Sequence, residues 1–384
     1  MKIWKSPAGI LKLKRFPFAG DASHQAWDAA DEWIINRFAD YPAVKTRPTA
    51  IVGEAFGVLG TALGGGKITA LSDSLMSLLS LEENRKLNPS ADGPLTVIKA
   101  DTDFNSPDKA KFEMADKLII RLPKNLELLE VYIRLSLSLA DENTEIWLGG
   151  MDKRWNRGVQ KITDRYLETA ERFPFVRHAR WIKYRIKAES EKPASSFKSG
   201  EWELERYPVA ILPAPAVFAS AVMDAGTAAF IEKFPEAEAE AAEVIVDLGC
   251  GSGILGLSAA YLNPEGRVIF TDESSLAVAN AEANFRNNEF TAAADFLQTN
   301  GADGIADASV DLVLCNPPFH YQNIQTREPA EFLFGEARRI LKPGGTVQIV
   351  GNSHLGYHKL LKDYFIKARD VYRDSKFTVM RGKR

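Results

Sequence analysis

The chain has 384 residues, of which 45% are hydrophobic and 26% are charged, and its formal net charge is −3. This composition is typical of a soluble globular protein with about two domains, and it excludes a disordered or fibrous chain. The slightly negative charge also excludes a protein that coats nucleic acid by bulk attraction alone.

The sequence indicates no membrane span, export signal or metal site. No stretch approaches the roughly 18 apolar residues that a membrane span requires, and charges interrupt the basic N-terminal segment before an export-signal core can form. Cys250 and Cys315 are the two cysteines, and neither has the spacing of a metal-ligand pair. We therefore expect a cytoplasmic protein in a reducing compartment, without a bound metal ion.

The first half of the chain has an α/β pattern. From Ile51 to Asn88 an apolar run turns through glycine into a helix, and a second short strand leads to another helix that ends near asparagine. The segment "DKLIIRLPK", residues 116–124, predicts a further buried strand. Residues 177–187 alternate in polarity and predict a strand with a basic face that includes Lys183 and Arg185. This face suits either an RNA groove or plain exposure to solvent.

The two halves meet in a polar segment. Residues 188–201 are rich in Ser, Lys, Glu and Pro, which is typical of a linker. We predict domains at 1–190 and 191–384. The first carries 29 Lys and Arg against 25 Asp and Glu, and the second carries 19 against 26, so the first is the better candidate for contacting phosphates.

The second half repeats the order of the first. Residues 245–288 again give a strand, a glycine turn, a helix, a strand that ends in an acid, and a helix. The strand at 311–319 then falls where 116–124 falls in the first half. We infer an internal duplication and predict two α/β domains with mainly parallel sheets.

The turn after Val246 predicts a cofactor site. It contains three alternating glycines, and glycine permits positive φ and the approach of a ligand to bare backbone. The next strand ends at Asp272, whose carboxylate can accept hydrogen bonds from a ribose diol. Because an acid at Asp247 suits a cationic amino-acid group and repels a pyrophosphate, S-adenosylmethionine (SAM) fits better than the nicotinamide dinucleotide that G-x-G-x-x-G also allows.

The strand that begins at Asp311 ends at an asparagine followed by two prolines. Asn316 comes at the carboxyl end of the strand, where ligands of open α/β sheets bind, and the prolines remove backbone donors, so the turn presents acceptors. Such acceptors suit a conjugated amine, because bonds outside the ring plane favour a pyramidal, nucleophilic nitrogen. Phe319 offers a face on which a base can stack.

Six motifs together resemble one family. The segments "VDLGCGSGILGL", "FTDESSLAVA", "LCNPPFHYQ", "RFPFAGDASHQAWDAADEWII", "EAFGVLG" and "RLPKNLELLE" resemble the RlmG and RsmC ribosomal RNA guanine-N2 methyltransferases over nearly the whole chain. The resemblance implies two tandem Rossmann-like class I methyltransferase-type domains. The first would be degenerate, with a structural or RNA-binding role, and the second would be catalytic.

The resemblance also implies the site residues. SAM binding falls to five residues: Asp247, Gly249, Gly251, Gly253 and Asp272. Catalysis and base binding fall to three: Asn316, Pro317 and Phe319. In the first half the sequence alignment places four residues opposite the loop, Ile51, Gly53, Ala55 and Gly57, and places Leu122-Pro123-Lys124 opposite Asn316-Pro317-Pro318, so the acceptor is absent there.

One segment departs from the family pattern. Relatives usually have a serine directly after a Val-Phe pair, whereas here Ala219 follows Phe218 and Ser220 comes next. This departure puts a specific role for the serine in doubt. Phe218 and Asp224 remain candidates for bordering the cofactor.

The expected function is SAM-dependent methylation of the N2 amine of a guanine in large-subunit (23S) rRNA by a monomeric enzyme. A guanine of 16S rRNA, an adenine N6 amine and a protein glutamine are alternative substrates. A nicotinamide-dependent reductase and a non-catalytic RNA-binding scaffold are alternatives of other classes. The intact second-half motifs argue against the scaffold.

Overall fold

The computed structural model describes residues 1–7, 9–17, 25–39, 47–101, 112–187, 200–317 and 328–384. The chain divides into two compact units, Met1–Phe197 and Lys198–Arg384. Most of the expected linker, residues 188–199, lies outside the described residues. Among the helices in the described ranges, none is both long enough and apolar enough to cross a bilayer.

The first unit contains nine strands and five α-helices in its described ranges. They are β1 (Lys2–Ser6), β2 (Gly9–Leu13), α1 (Ala29–Ala39), β3 (Thr49–Val52), α2 (Val58–Ala62), β4 (Ile68–Ser72), α3 (Leu75–Lys86), β5 (Leu95–Lys99), β6 (Lys117–Arg121), α4 (Leu126–Ser136), β7 (Glu145–Met151), α5 (Arg157–Tyr166), β8 (Leu167–Arg172) and β9 (Ala179–Ile186).

The second unit contains nine strands and six α-helices in its described ranges. They are β10 (Trp202–Glu203), β11 (Ala210–Ile211), α6 (Ala225–Glu232), α7 (Glu236–Glu240), β12 (Val244–Leu248), α8 (Ile254–Leu262), β13 (Arg267–Asp272), α9 (Ser275–Asn287), β14 (Ala293–Gln298), β15 (Val310–Cys315), α10 (Glu328–Ile340), β16 (Leu341–Asn352), α11 (Tyr357–Tyr364), β17 (Ile366–Arg373) and β18 (Phe377–Lys383).

Each unit is built on a seven-stranded sheet. The strand orders are β5-β4-β3-β6-β7-β9-β8 and β14-β13-β12-β15-β16-β18-β17, so the two sheets have the same topology. In each sheet the first five strands pair in parallel and the last two pairings are antiparallel, so a single strand, β9 or β18, runs against the other six. The predicted fold class, two tandem Rossmann-like domains with mainly parallel sheets, is confirmed.

The second sheet is buried on both faces, which explains the continuous apolar character of its central strands. Alternate residues of β15 point to opposite faces. Leu312 and Leu314 pack into one hydrophobic cluster together with Phe270, and Val313 packs into the other together with Phe334.

The duplication extends to single hydrogen bonds. In α3, Asn84 Oδ1 accepts from Lys14 N (2.9 Å) and its Nδ2 donates to Phe56 O (2.8 Å). In α9, Asn284 Oδ1 accepts from Leu212 N (2.7 Å) and its Nδ2 donates to Ser252 O (2.9 Å). Each asparagine thereby joins the segment before the sheet to the turn after the first parallel strand. The asparagines that follow the two helices, Asn88 and Asn288, bond the backbone of the same segments, at Lys12 and Ala210.

The strand predicted at 177–187 is present as β9, and the start of its basic face is covered by protein, whereas Arg185 and Lys187 are exposed. Trp181 is fully buried, and its indole N–H donates to Ala30 O (3.0 Å). Lys183 lies on the same face and pairs with Glu145, while Arg180 pairs with Asp152. Period-two alternation predicted the strand correctly and did not show that α1 covers this face at Trp181.

Asn284 should be essential for the stability of the second unit. Asn284→Ala leaves the Leu212 N–H and the Ser252 carbonyl without their side-chain partner, and an unsatisfied buried polar group costs about 1–3 kcal/mol. We expect a loss of at least about 2 kcal/mol in the free energy of unfolding, measured by urea denaturation. The exposed neighbour Asn287, which bonds Glu201, is the control, and Asn287→Ala should cost under about 0.5 kcal/mol. Equal losses in both variants would contradict this role.

Candidate functional site

The register of three parallel strands brings the predicted site residues together. Leu248, the last residue of β12, pairs with Thr271 of β13 on one side and with Cys315 of β15 on the other. The residues that follow these three are Gly249, Asp272 and Asn316, so they lie side by side at the carboxyl edge of the sheet. The strand order reverses between β12 and β15, and open α/β sheets bind their ligands at this switch point.

The glycine loop has the backbone shape that the sequence predicts. Gly249, Gly251 and Gly253 all have positive φ angles, of 77°, 55° and 86°. A Cβ at Gly249 would meet open space, so this part of the backbone is accessible to a ligand. The amides of Gly249 and Cys250 both donate to Thr271 O, at 2.9 Å, which holds the loop against β13.

The Asp272 carboxylate lies at the end of β13, next to the glycine loop. Its Oδ2 accepts from Gly251 N (3.0 Å) and its Oδ1 accepts from Ser274 N (2.9 Å). These bonds fix the orientation of the carboxylate while it remains half-buried at the carboxyl edge. It lies where an acceptor for a ribose diol is expected.

Asp247 lies beneath the loop and not at its mouth. It is 1% exposed, and its Oδ2 accepts from Gly256 N (2.8 Å) in the first turn of α8. Burial raises the pKa of Asp247 to about 8, and the nearby Asp272 adds to this rise. The expected carboxylate at the mouth of the loop is therefore not found there, because strand alternation points the Asp247 side chain toward α8.

The Asn316 side chain has one satisfied end and one unsatisfied end. Its Nδ2 donates to Thr227 Oγ1 (3.0 Å). Its Oδ1 is shielded from solvent and has no hydrogen-bond partner within the described residues. Buried acceptors normally have a donor, so this oxygen indicates a place for a ligand N–H. Pro317, the next residue, is buried, and Phe319 lies outside the described residues.

The segment before α6 lies against the glycine loop. A Cβ at Gly251 would lie 3.3 Å from Phe218 O, and the Phe218 side chain is 56% exposed. Ser220 is buried, and its hydroxyl donates to Ala214 O (2.7 Å). The serine thus has a structural role within its own segment.

Thr227 was not identified from the sequence. It lies in the first turn of α6, and Asp224 caps this helix by accepting from Gly226 N (2.8 Å) and Thr227 N (3.2 Å). An aspartate at the position of Asp224 is a sequence feature that predicts the start of a helix. The contact with Asn316 was not readable, because 89 residues separate it from Thr227.

The equivalent place in the first unit is filled by protein. The Tyr132 ring of α4 lies against Gly53, where a Cβ would overlap its Cε2, and the Tyr132 hydroxyl donates to Asp73 Oδ1 (2.5 Å). Glu54 is buried beneath the turn and accepts from Gly60 N (3.2 Å), as Asp247 accepts from Gly256 N in the second unit. The turn after β3 therefore resembles the glycine loop of the second unit, but the Tyr132 side chain occupies the space that is open beside Gly249.

Strand register corrects the alignment of the two halves by one residue. Val52 pairs with Ile120, as Leu248 pairs with Cys315. Arg121, and not Leu122, therefore occupies the position of Asn316. An arginine has donors only, so the inference that the first unit lacks the acceptor remains valid.

Neither cysteine resembles a reactive thiol. Cys250 and Cys315 are free and buried, and burial raises the pKa of both thiols. In the described ranges, no group of three or more His, Cys, Asp and Glu side chains is arranged to hold a metal ion.

Asp247 should reduce stability at neutral and alkaline pH. Its pKa in the folded state, about 8, lies above the pKa of about 3.9 in an unfolded chain. Between these two pH values the unfolded chain releases the Asp247 proton while the folded chain still holds it. The free energy of unfolding therefore falls as the pH rises from about 3.9 to about 8. Asp247→Asn keeps an oxygen for Gly256 N and cannot ionise. The difference in thermal unfolding midpoint, variant minus parent, should therefore increase by several degrees from pH 5 to pH 8, since 1 kcal/mol corresponds to about 2–4 °C.

The control for this measurement is Asp303→Asn, since Asp303 is exposed. Its pH profile should follow the parent. If Asp247→Asn also follows the parent, the carboxylate is not buried as the structure describes.

Family models match both halves of the chain. Residues 1–188 match the model described as "RLMG N-terminal domain". Residues 208–381 match the model described as "Methyltransferase small domain".

A solved structure shares the fold of the whole chain. The T. thermophilus 16S rRNA N2 methyltransferase RsmC, in complex with AdoMet and guanosine, covers 100% of this chain with 97% of its own, at a TM-score of 0.77. Its sequence is 17% identical, so this likeness concerns the fold alone.

Two curated relatives are similar over their full length. "Ribosomal RNA large subunit methyltransferase G" of Streptomyces coelicolor is 33% identical over 98% of this chain and 99% of its own. The protein of the same name from Pseudomonas aeruginosa is 33% identical over 100% of both chains. The resemblance predicted from the motifs is confirmed: the chain belongs to the ribosomal RNA large subunit methyltransferase G family.

Proposed function

We propose that this protein transfers a methyl group from SAM to the N2 amine of a guanine in large-subunit (23S) ribosomal RNA, in the cytoplasm. The observation that carries the proposal is the buried Asn316 Oδ1, which has no partner among the described residues and lies beside an open glycine loop. The relatives named as large-subunit rRNA methyltransferases support this RNA as the substrate.

The second unit fits SAM by its shape and its charge. The open backbone at Gly249 leaves room for a ligand, and the half-buried Asp272 carboxylate beside the loop offers an acceptor to a ribose diol. We assign cofactor binding to the three loop glycines and Asp272, with Asp247 shaping the loop from below. SAM, when bound, supplies an electrophilic methyl group on a sulfonium sulfur.

The chain contributes by positioning and polarising the target amine. The lone pair of a guanine N2 amine is delocalised into the ring, while its N–H groups are good donors. Asn316 Oδ1 accepts a hydrogen bond from one of these N–H groups and favours the pyramidal nitrogen, whose lone pair is free to take the methyl group. The methylated nitrogen is an acidic aryl-ammonium and loses its extra proton readily, so no strong base is required. Because the oxygen is fixed before the substrate binds, little reorganisation is required in the transition state. Pro317 fixes the turn, and Phe319 is assigned to stack on the base.

The two units then have different roles. We assign catalysis to the second unit, and a structural or RNA-binding role to the first. The Tyr132 ring on Gly53 and the Arg121 side chain at the position of Asn316 support this division, since the first removes the space for a cofactor and the second removes the acceptor.

Asn316→Ala should abolish methyl transfer while leaving cofactor affinity nearly intact. Removing a preorganised polar group of this kind costs about 10²–10³-fold in rate. We expect cells that lack the protein to lose N2-methylguanosine from large-subunit rRNA, and the parent gene, but not the Asn316→Ala gene, to restore it. Nucleoside mass spectrometry of the separated subunit RNAs measures this.

Asn287→Ala is the matched control for this experiment and should restore the modification fully. Full activity of Asn316→Ala would refute the acceptor role. A loss confined to small-subunit rRNA would show that the large-subunit assignment is wrong.

The full chain should bind one cofactor molecule. Calorimetry with S-adenosylhomocysteine should give one site per chain, because Tyr132 occupies the counterpart space in the first unit. Asp272→Ala should weaken this site at least about 10-fold, since a carboxylate bonding a diol supplies charge-assisted hydrogen bonds of about 1.5–3 kcal/mol. Two sites per chain, or unchanged binding by Asp272→Ala, would contradict the assignment.

A further inference from the structure

The orientation of the Asn316 amide decides whether its acceptor role is possible. An amide has an acceptor oxygen at one end and a donor NH2 group at the other. With the NH2 group toward the target amine, two donors would face each other and repel. Something in the protein must therefore select one orientation of the amide.

Thr227 and Asp224 supply this selection. The Thr227 hydroxyl donates its single hydrogen to Asp224 Oδ2. The hydroxyl then has only lone pairs for Asn316, and these require a donor. Asn316 meets them with Nδ2, at 3.0 Å from Thr227 Oγ1, which leaves Oδ1 as its other end.

Asp224 is itself fixed in direction. Its Oδ1 accepts from Gly226 N and its Oδ2 from Thr227 N, both at the start of α6. The positive end of the helix dipole favours a carboxylate at this place. The hydrogen-bond direction therefore runs from Asn316 through Thr227 to an acceptor held by the helix.

We propose that Thr227, with its hydroxyl held by Asp224, is a positioning residue that orients the Asn316 amide so that Oδ1 faces the target amine. This inference rests on the proposed function, because it names what sets the acceptor for that reaction.

The first unit supports the coupling of these positions. Asp28, at the start of α1, accepts from Ala30 N (2.8 Å) and Asp31 N (3.2 Å), just as Asp224 caps α6. Asp31 thus occupies the position of Thr227, and Arg121 the position of Asn316.

The two units differ in residue type at both of these positions. Arg121 contacts Asp31 (Nε to Oδ1, 3.2 Å) and Asp28 (Nη2 to Oδ2, 2.9 Å). Where the strand-end residue is a cation, the helix residue is an anion. Where the strand-end residue is an amide, the helix residue is a hydroxyl.

The direct test is Thr227→Val, which keeps the shape of the side chain and removes the hydroxyl. We expect kcat to fall about 10- to 100-fold, less than the loss from deleting the acceptor itself. The KM for SAM and the calorimetric affinity for S-adenosylhomocysteine should remain within about twofold, because Thr227 acts through Asn316. Thr227→Ser restores the hydroxyl and should recover most of the lost kcat.

Asp224→Ala tests the hydrogen-bond direction separately. It removes the carboxylate that accepts the Thr227 hydroxyl hydrogen. This hydrogen is then free to donate to Asn316 Oδ1, which blocks the acceptor. This variant should lower kcat as Thr227→Val does.

A readout without turnover comes from NMR spectroscopy. With ¹⁵N-labelled asparagine, the side-chain NH2 resonance that Asn316→Ala removes should shift in Thr227→Val and remain near its parent position in Thr227→Ser. In the Asn316→Ala background, Thr227→Val should cause no further loss of kcat, because the two side chains act as one unit.

Two results would overturn the positioning role. One is a folded Thr227→Val protein with parental kcat. The other is a Thr227→Ser protein as impaired as Thr227→Val, since a hydroxyl at this position would then not be what matters. If Asn316→Ala itself is fully active, the proposed function fails; if it is inactive while Thr227→Val is not, only the positioning role fails.

Discussion

The parallel register of β12 with its two neighbours is the constraint on which the site depends. Leu248 pairs with Thr271 on one side and with Cys315 on the other, so the carboxyl ends of the three strands lie next to one another. The cofactor turn, the Asp272 carboxylate and the Asn316 amide then meet without a long connecting element. Because the strands are buried on both faces, a slip of one residue would turn core side chains away from their clusters. Hydrophobic packing therefore also fixes the relative height of the polar groups.

The internal duplication shows which parts of this arrangement belong to the fold. Both units keep the strand order, the asparagine that ties the helix to the turn, and a buried acid on the first turn of the following helix. They differ where a ligand would lie. Tyr132 covers Gly53, whereas Gly249 stays open. The first unit therefore keeps the scaffold without the open turn, as expected where residues that shape the backbone stabilise the unit whether or not it binds anything.

The sequence predicted the parts of the site that depend on local geometry. Alternating glycines require positive φ, and strand ends place Asp272 and Asn316 at one edge, so these were readable. Three features depended on tertiary contacts and were not. The burial of Asp247 follows from strand alternation under α8, the equivalence of Arg121 with Asn316 follows from ladder register, and the contact of Thr227 with Asn316 joins distant segments. The Leu-Pro match misled the alignment because a proline after a strand is common to many turns.

In the proposed mechanism a fixed amide oxygen receives the target amine. A crystal structure of the full chain with S-adenosylhomocysteine and guanosine would show this contact. We expect Asn316 Oδ1 within about 2.7–3.2 Å of the guanine N2 atom, with Nδ2 still on Thr227. A guanine amine bonded elsewhere, with Asn316 Oδ1 turned toward Thr227 or remote from the base, would contradict it.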